Sequence, residues 1–479
     1  MNEHTILAAG RWQAAKSGET LAMIDPSEGR EFARIARGRA EDIDRAVASA
    51  RRAYETHWRK VPGVERGRFL TKIAEAIRTH AEELATLEAR DTGKPLKQAR
   101  VDATVAARYF EFYAGAADKI HGDAIPFLSD YQVIAIREPY GVTGHIIPWN
   151  YPLQMGARTI AAALAAGNAL VLKPAEEACL AVLRLAELAL AAGLPADILN
   201  LVTGLGEEAG AALAGHADID HVSFTGSPEV GTLVQQAAAR RNAGCTMELG
   251  GKSPQIVFAD ANLEAAVPTI VNAIIQNAGQ TCSAGSRLLV ERRVYDGVVG
   301  QVAERFAKLR VGPALADLDC GPLISAGQKK RVEGFLAKAA EEGIPALARA
   351  QFANDLPAGG YYVAPALYGP VPQSNRLACD EVFGPVLSAI PFTDEEDAIR
   401  LANATAYGLT AGVWTENGGR QLRVAKGLKC GQVFVNNYGA GGGVELPFGG
   451  MKRSGYGREK GMEALHHLTT VKTVVLKHG

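Results

Sequence analysis

The chain has 479 residues, about three times the ~150 residues of a typical domain, so two or three domains are expected. With 47% hydrophobic and 22% charged residues, its composition excludes disordered, collagen-like and disulfide-scaffold proteins. The 51 basic and 52 acidic side chains give a net charge of -1, and no basic stripe is interleaved with aromatic residues, which argues against a nucleic-acid partner.

The first part of the chain predicts helices, and two later segments predict a small sheet. Apolar residues recur at helical spacing between residues 43 and 87. An apolar run at residues 133–136 predicts a strand of an arm outside the main sheet. The alternation of Val471, Thr473 and Val475 near the end predicts an edge or exchanged strand.

From Gly141 onward, short apolar runs alternate with helical stretches, which predicts βαβ units around a buried parallel sheet. The predicted strands are residues 142–147, 169–172, 198–202 and 221–224. Sheets of this kind bind ligands beyond the carboxyl ends of their strands, so the residues directly after these runs are candidate site residues. A second α/β stretch begins near Ile256, with a helix predicted over residues 263–277 and a strand over residues 287–291. The glycines at 439 and 441–443 predict a flexible loop.

Two of these strand ends carry residues suited to a nucleotide. The segment from Thr225 to Gly231 opens a helix, where backbone amides and the Ser227 hydroxyl can hold a phosphate. It is neither G-x-G-x-x-G nor a Walker A motif, which argues against a standard Rossmann enzyme or an NTPase. At the neighbouring strand end, Glu176 can accept hydrogen bonds from ribose hydroxyls, although Lys173 and Glu176 could equally form a solvated charge pair.

Cys282 and Glu248 are the candidate nucleophile and general base. The Cys282 thiol lies among small residues that allow close approach. The Glu248 carboxylate ends an apolar run just before a double glycine. A buried inert thiol and a surface glutamate are the alternatives, and spacing alone does not bring the two together.

Two cellular predictions follow from the cysteines and the apolar pattern. The six cysteines contain no C-x-x-C pair, so neither a metal site nor a disulfide framework is expected. The first ten residues lack a signal-peptide pattern, and the longest apolar stretch, residues 160–171, is shorter than the ~20 residues of a spanning helix. We therefore expect a cytoplasmic protein without a membrane partner.

Seven motifs in order resemble the aldehyde dehydrogenase superfamily over essentially the whole chain. They are Pro148-Trp149-Asn150-Tyr151-Pro152, Lys173-Pro174-Ala175-Glu176, Phe224-Thr225-Gly226-Ser227, Glu248-Leu249-Gly250-Gly251-Lys252-Ser253-Pro254, Gly279-Gln280-Thr281-Cys282, Glu381-Val382-Phe383-Gly384-Pro385 and Pro447-Phe448-Gly449-Gly450. The resemblance implies an α/β fold with a Rossmann-like cofactor-binding domain (1–117 and 140–249), an α/β catalytic domain (250–456) and a β oligomerisation arm (118–139 and 457–479). It also implies a homodimer or homotetramer.

The resemblance further implies a mechanism for oxidising an aldehyde to its carboxylic acid. Cys282 would form a thiohemiacetal and then a thioester, Asn150 and the Cys282 amide would stabilise the oxyanion, and Glu248 would activate the hydrolytic water. NAD is the expected cofactor because Glu176 repels a 2′-phosphate, although related enzymes with this glutamate also use NADP. The implied cofactor-binding residues are Trp149, Lys173, Glu176, Gly206, Gly226, Ser227, Gly231, Leu249, Glu381 and Phe383.

The sequence is compatible with several classes of aldehyde substrate. Arg158 lies in the helix that lines the family's substrate tunnel, as in succinate-semialdehyde dehydrogenases, but their second arginine corresponds to Gln276 here. A semialdehyde, an aromatic or an aliphatic aldehyde all fit, and Arg158 could instead form a structural salt bridge. Thr159 stands where many relatives have a lysine, so a proton relay through that lysine is in doubt, with Glu445 as a weak substitute.

Two other functions remain as alternatives. The first is a catalytically retired structural or binding protein on the same scaffold, against which the intact Cys282, Glu248 and Asn150 argue. The second is an acyl-CoA-forming reductase or an esterase that uses the same thiol. Because the CoA-acylating branch lacks the base at Glu248, water is the expected acceptor.

Overall fold

In the computed structural model, which describes residues 5–439 and 443–479, an eight-stranded sheet organises the first half of the chain. Its strands, in spatial order, are β2 (Arg11–Gln13), β1 (Ile6–Ala8), β9 (Leu199–Leu201), β8 (Ala169–Pro174), β7 (Val142–Ile147), β10 (His221–Thr225), β11 (Gly244–Glu248) and β21 (Gly455–Tyr456). The run from β9 to β11 is parallel, whereas β1 and β21 pair antiparallel at its two sides. The carboxyl ends of the parallel strands therefore meet along one edge.

A seven-stranded sheet organises most of the second half. Its strands, in spatial order, are β15 (Ala346–Arg349), β17 (Ala366–Tyr368), β18 (Val386–Phe392), β13 (Arg287–Glu291), β12 (Pro254–Val257), β19 (Thr410–Trp414) and β20 (Gln432–Val435). Only β15 is antiparallel to its neighbour. Two smaller pairs join β3 (Thr20–Asp25) to β4 (Arg30–Ala36), and β14 (Arg310–Val311) to β16 (Gln351–Phe352).

Helices pack around both sheets. They are α1 (Ala40–Thr56), α2 (Gly63–Thr79), α3 (Ala81–Thr92), α4 (Leu96–Ala116), α5 (Pro152–Ala166), α6 (Leu180–Ala191), α7 (Ala211–Gly215), α8 (Pro228–Ala239), α9 (Leu263–Ile275), α10 (Tyr295–Lys308), α11 (Ala326–Glu341), α12 (Arg376–Cys379), α13 (Glu395–Asn403), α14 (Gly418–Gly427) and α15 (Gly461–His467). Within residues 5–439 and 443–479, none of them is long and apolar enough to cross a membrane.

A three-stranded antiparallel sheet projects from the rest as an arm. It consists of β5 (Asp123–Ile125), β6 (Tyr131–Pro139) and β22 (Thr469–Lys477), with β6 in the centre. Strand β22 pairs with β6 along its whole length, and its other edge has no partner strand in the described part of this chain. The side chains of Val471, Val475 and Leu476 on β22 are exposed.

The buried apolar residues form two cores, one for each large sheet. The first extends from Ile6 to Leu249 and the second from Ile256 to Leu428. Leu465 and Leu468 also lie in the first core, and α15 packs against α5. Residues 457–468, which we assigned to the arm, thus pack on the first sheet, and the arm strand begins at Thr469.

Several predicted elements differ from the structure at their ends. The helix expected to reach residue 277 ends at Ile275, because Asn277 and Ala278 adopt positive φ angles of 49° and 53°. Of the glycine-rich loop, Gly439 and Gly443 have φ angles of 77° and 41°. Gly441 and Gly442 lie outside the described residues.

Candidate active site

The strand ends of the first sheet bring most of the predicted site residues to one edge. Trp149 and Asn150 follow β7, Gly226 and Ser227 follow β10, and Glu248 is the last residue of β11. Parallel pairing of β7, β10 and β11 places these positions side by side. The predicted convergence at the carboxyl edge is therefore present in the structure.

A cavity of about 550 Å³ lies along this edge and reaches Cys282. Of the predicted residues, its lining includes Trp149, Asn150, Gly226, Ser227, Glu248, Cys282, Glu381 and Phe383. Lys173, Glu176, Gly206, Gly231 and Leu249 are not part of this lining. Gly231 instead packs against Leu249, whose side chain a Cβ at position 231 would approach within 2.6 Å.

One end of this cavity has donors suited to a phosphate. Ser227 caps the N-terminus of α8, where its Oγ accepts a hydrogen bond from the Val230 amide at 3.3 Å. Pro228 occupies the first turn, where its missing N–H costs nothing. Residues 226–229 at this helix start line the cavity, and such a terminus favours a negative charge.

Glu176, beyond that cavity, is held in place by two donors. The Lys173 ammonium contacts Glu176 Oε2 at 2.6 Å, and the Gly206 amide donates to Glu176 Oε1 at 3.2 Å. Lys173 is buried at the end of β8, whereas about a quarter of the Glu176 side chain is exposed. The pair is thus an ordered acceptor at the strand end and not a loose surface pair.

A second carboxylate, that of Glu381, lines the same cavity. Its Oε1 accepts a hydrogen bond from the Gly251 amide at 2.8 Å. Burial raises the pKa of Glu381 to about 7, against the stabilising effect of this hydrogen bond. Nearby, the rings of Trp149 and Phe383 meet edge to face with centroids 5.3 Å apart. The Glu381 carboxylate, a helix N-terminus and an aromatic wall in the cavity, with the Glu176 carboxylate outside it, are the groups that fit a dinucleotide.

The turn before Cys282 is tight and depends on glycine. Gly279 has a φ angle of 73°, and a Cβ there would lie 2.2 Å from the Gly384 carbonyl oxygen. The preceding Asn277 and Ala278 are also left-handed, which is uncommon for residues with a Cβ. Strain of this kind is typical of functional turns.

The Cys282 thiol is flanked by acids and carries its proton at rest. Burial raises the pKa of Cys282 to about 12, and the negative charges of Glu248 and Glu381 add to the effect. Gly251 packs so closely that a Cβ there would lie 2.3 Å from the Cys282 carbonyl oxygen. This approach explains why a double glycine follows Glu248.

Glu248 is buried without a hydrogen-bond partner for either carboxylate oxygen. Its main chain is fixed, because its carbonyl accepts a hydrogen bond from the Gly226 amide at 3.0 Å. Burial raises the pKa of Glu248 well above its usual value, and the nearby Glu459 raises it further. An acid with a raised pKa and free oxygens beside a thiol has the properties of a general base for a water molecule.

Asn150 is buried next to the same thiol-bearing loop. Its Nδ2 donates to the Gln280 carbonyl at 2.9 Å, and its own carbonyl accepts from Asn277 Nδ2 at 2.8 Å. A side-chain amide has two N–H groups, so one remains for a ligand. Asn150 is therefore both locked to the Cys282 loop and able to donate into the cavity.

A second cavity of about 280 Å³ reaches Cys282 from the opposite side. Its walls come from α4, α5, the end of α9 and the segment near residues 432–460. The lining includes Asp102, Tyr151, Met155, Arg158, Gln276, Phe434, Tyr438, Phe448 and Lys460. Both predicted substrate residues, Arg158 and Gln276, thus lie in it, and Cys282 is shared by the two cavities.

The Arg158 guanidinium is bound by other side chains of the protein. It is buried, forms an ion pair with Glu459, and donates from Nη2 to Thr225 Oγ1 at 3.0 Å. Glu459 also accepts a hydrogen bond from Ser223 Oγ at 2.6 Å. The salt-bridge interpretation of Arg158 is the one that these contacts support.

Two further features correct or extend the predicted site. Glu445, considered as a relay group, is exposed and pairs with Arg108 at 2.7 Å. Thr159 contacts the buried His145, whose pKa burial lowers to about 3.

Glu459 and Lys460 near the reaction centre were not predicted, since only the fold brings the C-terminal segment against α5. Among the described residues, no cluster of three or more His, Cys, Asp or Glu side chains could hold a metal ion.

Comparison with known proteins agrees with this geometry. Residues 12–474 match the aldehyde dehydrogenase family. The chain is 43% identical to aldehyde dehydrogenase family 2 member B4, mitochondrial, of Arabidopsis thaliana, over 98% of this chain and 88% of that protein. It is 42% identical to the mitochondrial benzaldehyde dehydrogenase of Antirrhinum majus, with the same coverage of 98% and 88%.

Solved structures give the same result. A crystal structure of an aldehyde dehydrogenase from Bacillus cereus in complex with NAD+ is 39% identical, with a TM-score of 0.96 over 100% of this chain and 97% of that chain. The NAD+ complex of betaine aldehyde dehydrogenase from Staphylococcus aureus is 36% identical, with a TM-score of 0.96 over 100% and 95% of the two chains. The chain belongs to the aldehyde dehydrogenase family.

Proposed function

We propose that this aldehyde dehydrogenase oxidises its substrate to the free carboxylic acid with NAD+, through a thioester on Cys282. The observation that supports this most is the meeting of two cavities at Cys282, with the unpaired carboxylate of Glu248 beside it. One cavity carries the groups that fit a dinucleotide, and the other is left for the aldehyde.

In the first step, the Cys282 thiolate attacks the aldehyde carbonyl and forms a thiohemiacetal. The free N–H of Asn150 Nδ2 and the Cys282 amide donate hydrogen bonds to the developing oxyanion. Because burial raises the pKa of Cys282 to about 12, the thiol must first lose its proton. That proton is released to solvent, so Glu248 stays available as the base of the third step.

In the second step, the thiohemiacetal loses a hydride and becomes a thioester. The bound nicotinamide supplies the hydride acceptor. Glu381 would hold its ribose, and the packed rings of Trp149 and Phe383 would lie beside the nicotinamide.

In the third step, Glu248 takes a proton from a water molecule that attacks the thioester. The acid leaves and the Cys282 thiol is restored. The presence of this base favours water over CoA as acceptor. A retired structural protein on the same scaffold gains no support from a site in which all three groups converge.

NAD+ is the preferred cofactor because the fixed carboxylate of Glu176 accepts hydrogen bonds from ribose hydroxyls and repels a 2′-phosphate. Lys173 partly offsets that repulsion, so NADP+ is a poorer but usable cofactor.

We also infer a homodimer or homotetramer and a cytoplasmic location. The open edge of β22, with Val471, Val475 and Leu476 exposed, offers a surface for a second copy of the chain. The six unpaired cysteines suit a reducing compartment.

The test is NADH formation over a panel of aliphatic, aromatic and carboxylate-bearing aldehydes, each with NAD+ and NADP+ and with and without CoA. The proposal expects CoA-independent oxidation with NAD+. If a folded protein that binds NAD+ oxidises no aldehyde, or if turnover requires CoA, the proposal is wrong.

A further inference from the structure

Three consecutive main-chain carbonyls beside the cofactor-side cavity accept hydrogen bonds from side chains of α11. Arg331 Nη2 donates to the Glu381 carbonyl at 2.7 Å, and Arg331 Nε donates to the Val382 carbonyl at 3.4 Å. Gln328 Nε2 donates to the Phe383 carbonyl at 2.6 Å. These three carbonyl-bearing residues belong to neither a helix nor a strand, so α11 supplies partners that a sheet would otherwise supply.

The α11 residues that contact this loop share one face of the helix. Arg331 and Val332 lie three and four positions after Gln328, which makes them neighbours on a helix surface. Ser325 caps the helix, and its Oγ accepts a hydrogen bond from the Gln328 amide at 3.2 Å. The Arg331 guanidinium lies 5.6 Å from the centre of the Phe335 ring, one turn further on. Both donors of this face are therefore held by contacts within α11.

The loop, segment 381–384, lies so close to this face that it needs a glycine. A Cβ at Gly384 would lie 2.5 Å from Val332 Cγ2. On its other side, the Gly384 carbonyl oxygen lies at the turn before Cys282, because a Cβ at Gly279 would overlap it. The main chain of the segment is thus packed between α11 and the turn that carries the thiol.

Two side chains of this segment line the cofactor-side cavity, and both depend on its position. Glu381 Oε1 accepts a hydrogen bond from the Gly251 amide at 2.8 Å, and a Cβ at Gly250 would overlap Glu381 Oε2. The Phe383 ring packs against Trp149, with a φ angle of 58° that is uncommon for a residue with a Cβ. Such a backbone conformation persists only where the surroundings hold it.

We propose that Gln328 and Arg331 are positioning residues that hold Glu381 and Phe383 in place for the nicotinamide half of NAD+. This inference rests on the proposed function, in which Glu381 would hold the nicotinamide ribose. Both side chains act through the main chain of segment 381–384, whose carbonyls they bind. The start of α8, which suits the phosphates, is a different element, so we expect phosphate binding to be independent of α11.

The first experiment measures by calorimetry the binding of NAD+ and of ADP, which has the adenosine and diphosphate but lacks the nicotinamide ribose. Arg331→Met and Gln328→Met remove the donors at nearly constant side-chain length. In both, we expect the Kd of NAD+ to rise about tenfold and the Kd of ADP to change less than about twofold. An equal loss of affinity for both ligands would mean that α11 contacts the diphosphate directly, and the proposal would be wrong.

Arg331→Lys separates charge from geometry. It keeps the cation, but an ammonium does not reproduce the planar fork that reaches two carbonyls. We expect its NAD+ affinity to lie nearer to that of Arg331→Met than to that of the wild type. Wild-type affinity in Arg331→Lys would show that the charge alone suffices, against a role in holding the segment.

The second experiment follows amide hydrogen exchange in the protein without cofactor. The Gly251 amide is protected by its hydrogen bond to Glu381 Oε1. If segment 381–384 is released in Gln328→Met or Arg331→Met, the peptide that contains Gly251 should exchange about tenfold faster. Unchanged exchange at Gly251 in both variants would contradict the proposal.

Hydride transfer gives a third measure. With saturating NAD+ and an aldehyde that the wild type oxidises, it should slow by about 10- to 100-fold in Gln328→Met and in Arg331→Met, because a displacement of about 1 Å at the reacting atoms has an effect of this size. The chemical step then limits turnover, so an aldehyde deuterated at C1 should show a primary isotope effect on kcat.

Lys330→Met is the matched control. It removes a cation from an exposed position of α11 directly before Arg331. We expect the Kd of both ligands, the exchange at Gly251 and the rate of hydride transfer to stay at their wild-type values. In every variant, retained ADP affinity and Tm show that the protein is folded.

The outcomes separate this inference from the proposed function. Binding and exchange need no substrate, so they decide the role of Gln328 and Arg331 even if the wild type oxidises no aldehyde, in which case the proposed function alone fails. If the wild type oxidises aldehydes and both methionine variants keep its NAD+ affinity, Gly251 exchange and hydride transfer, the positioning role is overturned and aldehyde oxidation stands.

Discussion

The two cavities that meet at Cys282 are built in different ways. The cofactor-side cavity is lined mainly by residues at the strand ends of the first sheet, by side chains of α11 and by the segment around Glu381. The substrate-side cavity is lined by side chains from helices and from the C-terminal segment, which are far apart in sequence. A single substitution changes the shape and charge of a cavity that is lined by side chains. It has little effect on the backbone positions at the ends of strands. The cofactor-side cavity thus depends on the fold, and the other cavity depends on individual side chains.

The largest expected effect is at the point that both cavities share. Cys282→Ala removes the thiol that we propose forms the thioester, so aldehyde oxidation should fall by about ten-thousand-fold or more. Binding of NAD+, measured by calorimetry, is retained because the rest of that cavity is untouched. The buried Cys320, outside both linings, provides the matched control, and Cys320→Ala keeps its oxidation rate. Full activity in Cys282→Ala would remove this residue from the mechanism.

Glu248→Gln separates the two halves of the reaction. Hydride transfer precedes the step that needs the base, so we expect a burst of NADH followed by turnover slowed by about 100- to 10,000-fold. The burst is measured by rapid mixing, with the surface variant Glu445→Gln as control. Unchanged steady-state turnover would exclude Glu248 as the base.

The pH profile tests the same residue. Since burial raises the pKa of Glu248, it holds its proton at pH values where an exposed glutamate is ionised. Deacylation should therefore accelerate as the pH rises through that pKa, and this limb should be absent in Glu248→Gln. An identical profile in the variant would contradict the assignment.

Asn150→Ala should lower kcat by about 100- to 1,000-fold, because an oxyanion donor acts only in the transition state. The substitution should slow the chemical step and leave the dissociation constant of NAD+ nearly unchanged. Isothermal titration calorimetry measures that dissociation constant. Asn417→Ala, which removes a surface amide that caps α14, is the control. A change confined to KM would show that Asn150 serves binding alone.

The smallest effect concerns Glu176, which lies outside the lining of the cofactor-side cavity. Glu176→Gln removes the charge that repels a 2′-phosphate, so kcat/KM with NADP+ relative to NAD+ should rise about tenfold. Glu75→Gln, an exposed acid on α2, should leave the ratio as it is. An unaltered ratio in Glu176→Gln would mean that cofactor choice is set elsewhere.

The sequence by itself determined the alternation of strands and helices and the family to which the chain belongs. The strands Val142–Ile147 and Arg287–Glu291 have the predicted bounds, because buried parallel strands are continuous apolar runs between breakers. The cofactor-side residues could be predicted from the sequence for the same reason, since they directly follow such strands or lie in contiguous motifs.

Only the tertiary structure decided what surrounds the substrate. The pairing of Arg158 with Glu459 and that of Glu445 with Arg108 depend on where the C-terminal segment packs. Contacts between residues about 300 positions apart leave no periodic signal, because they follow from the docking of α15 on α5. The positive φ angle of Lys460 is equally invisible in the sequence, since lysine itself gives no sign of a conformation that it rarely adopts.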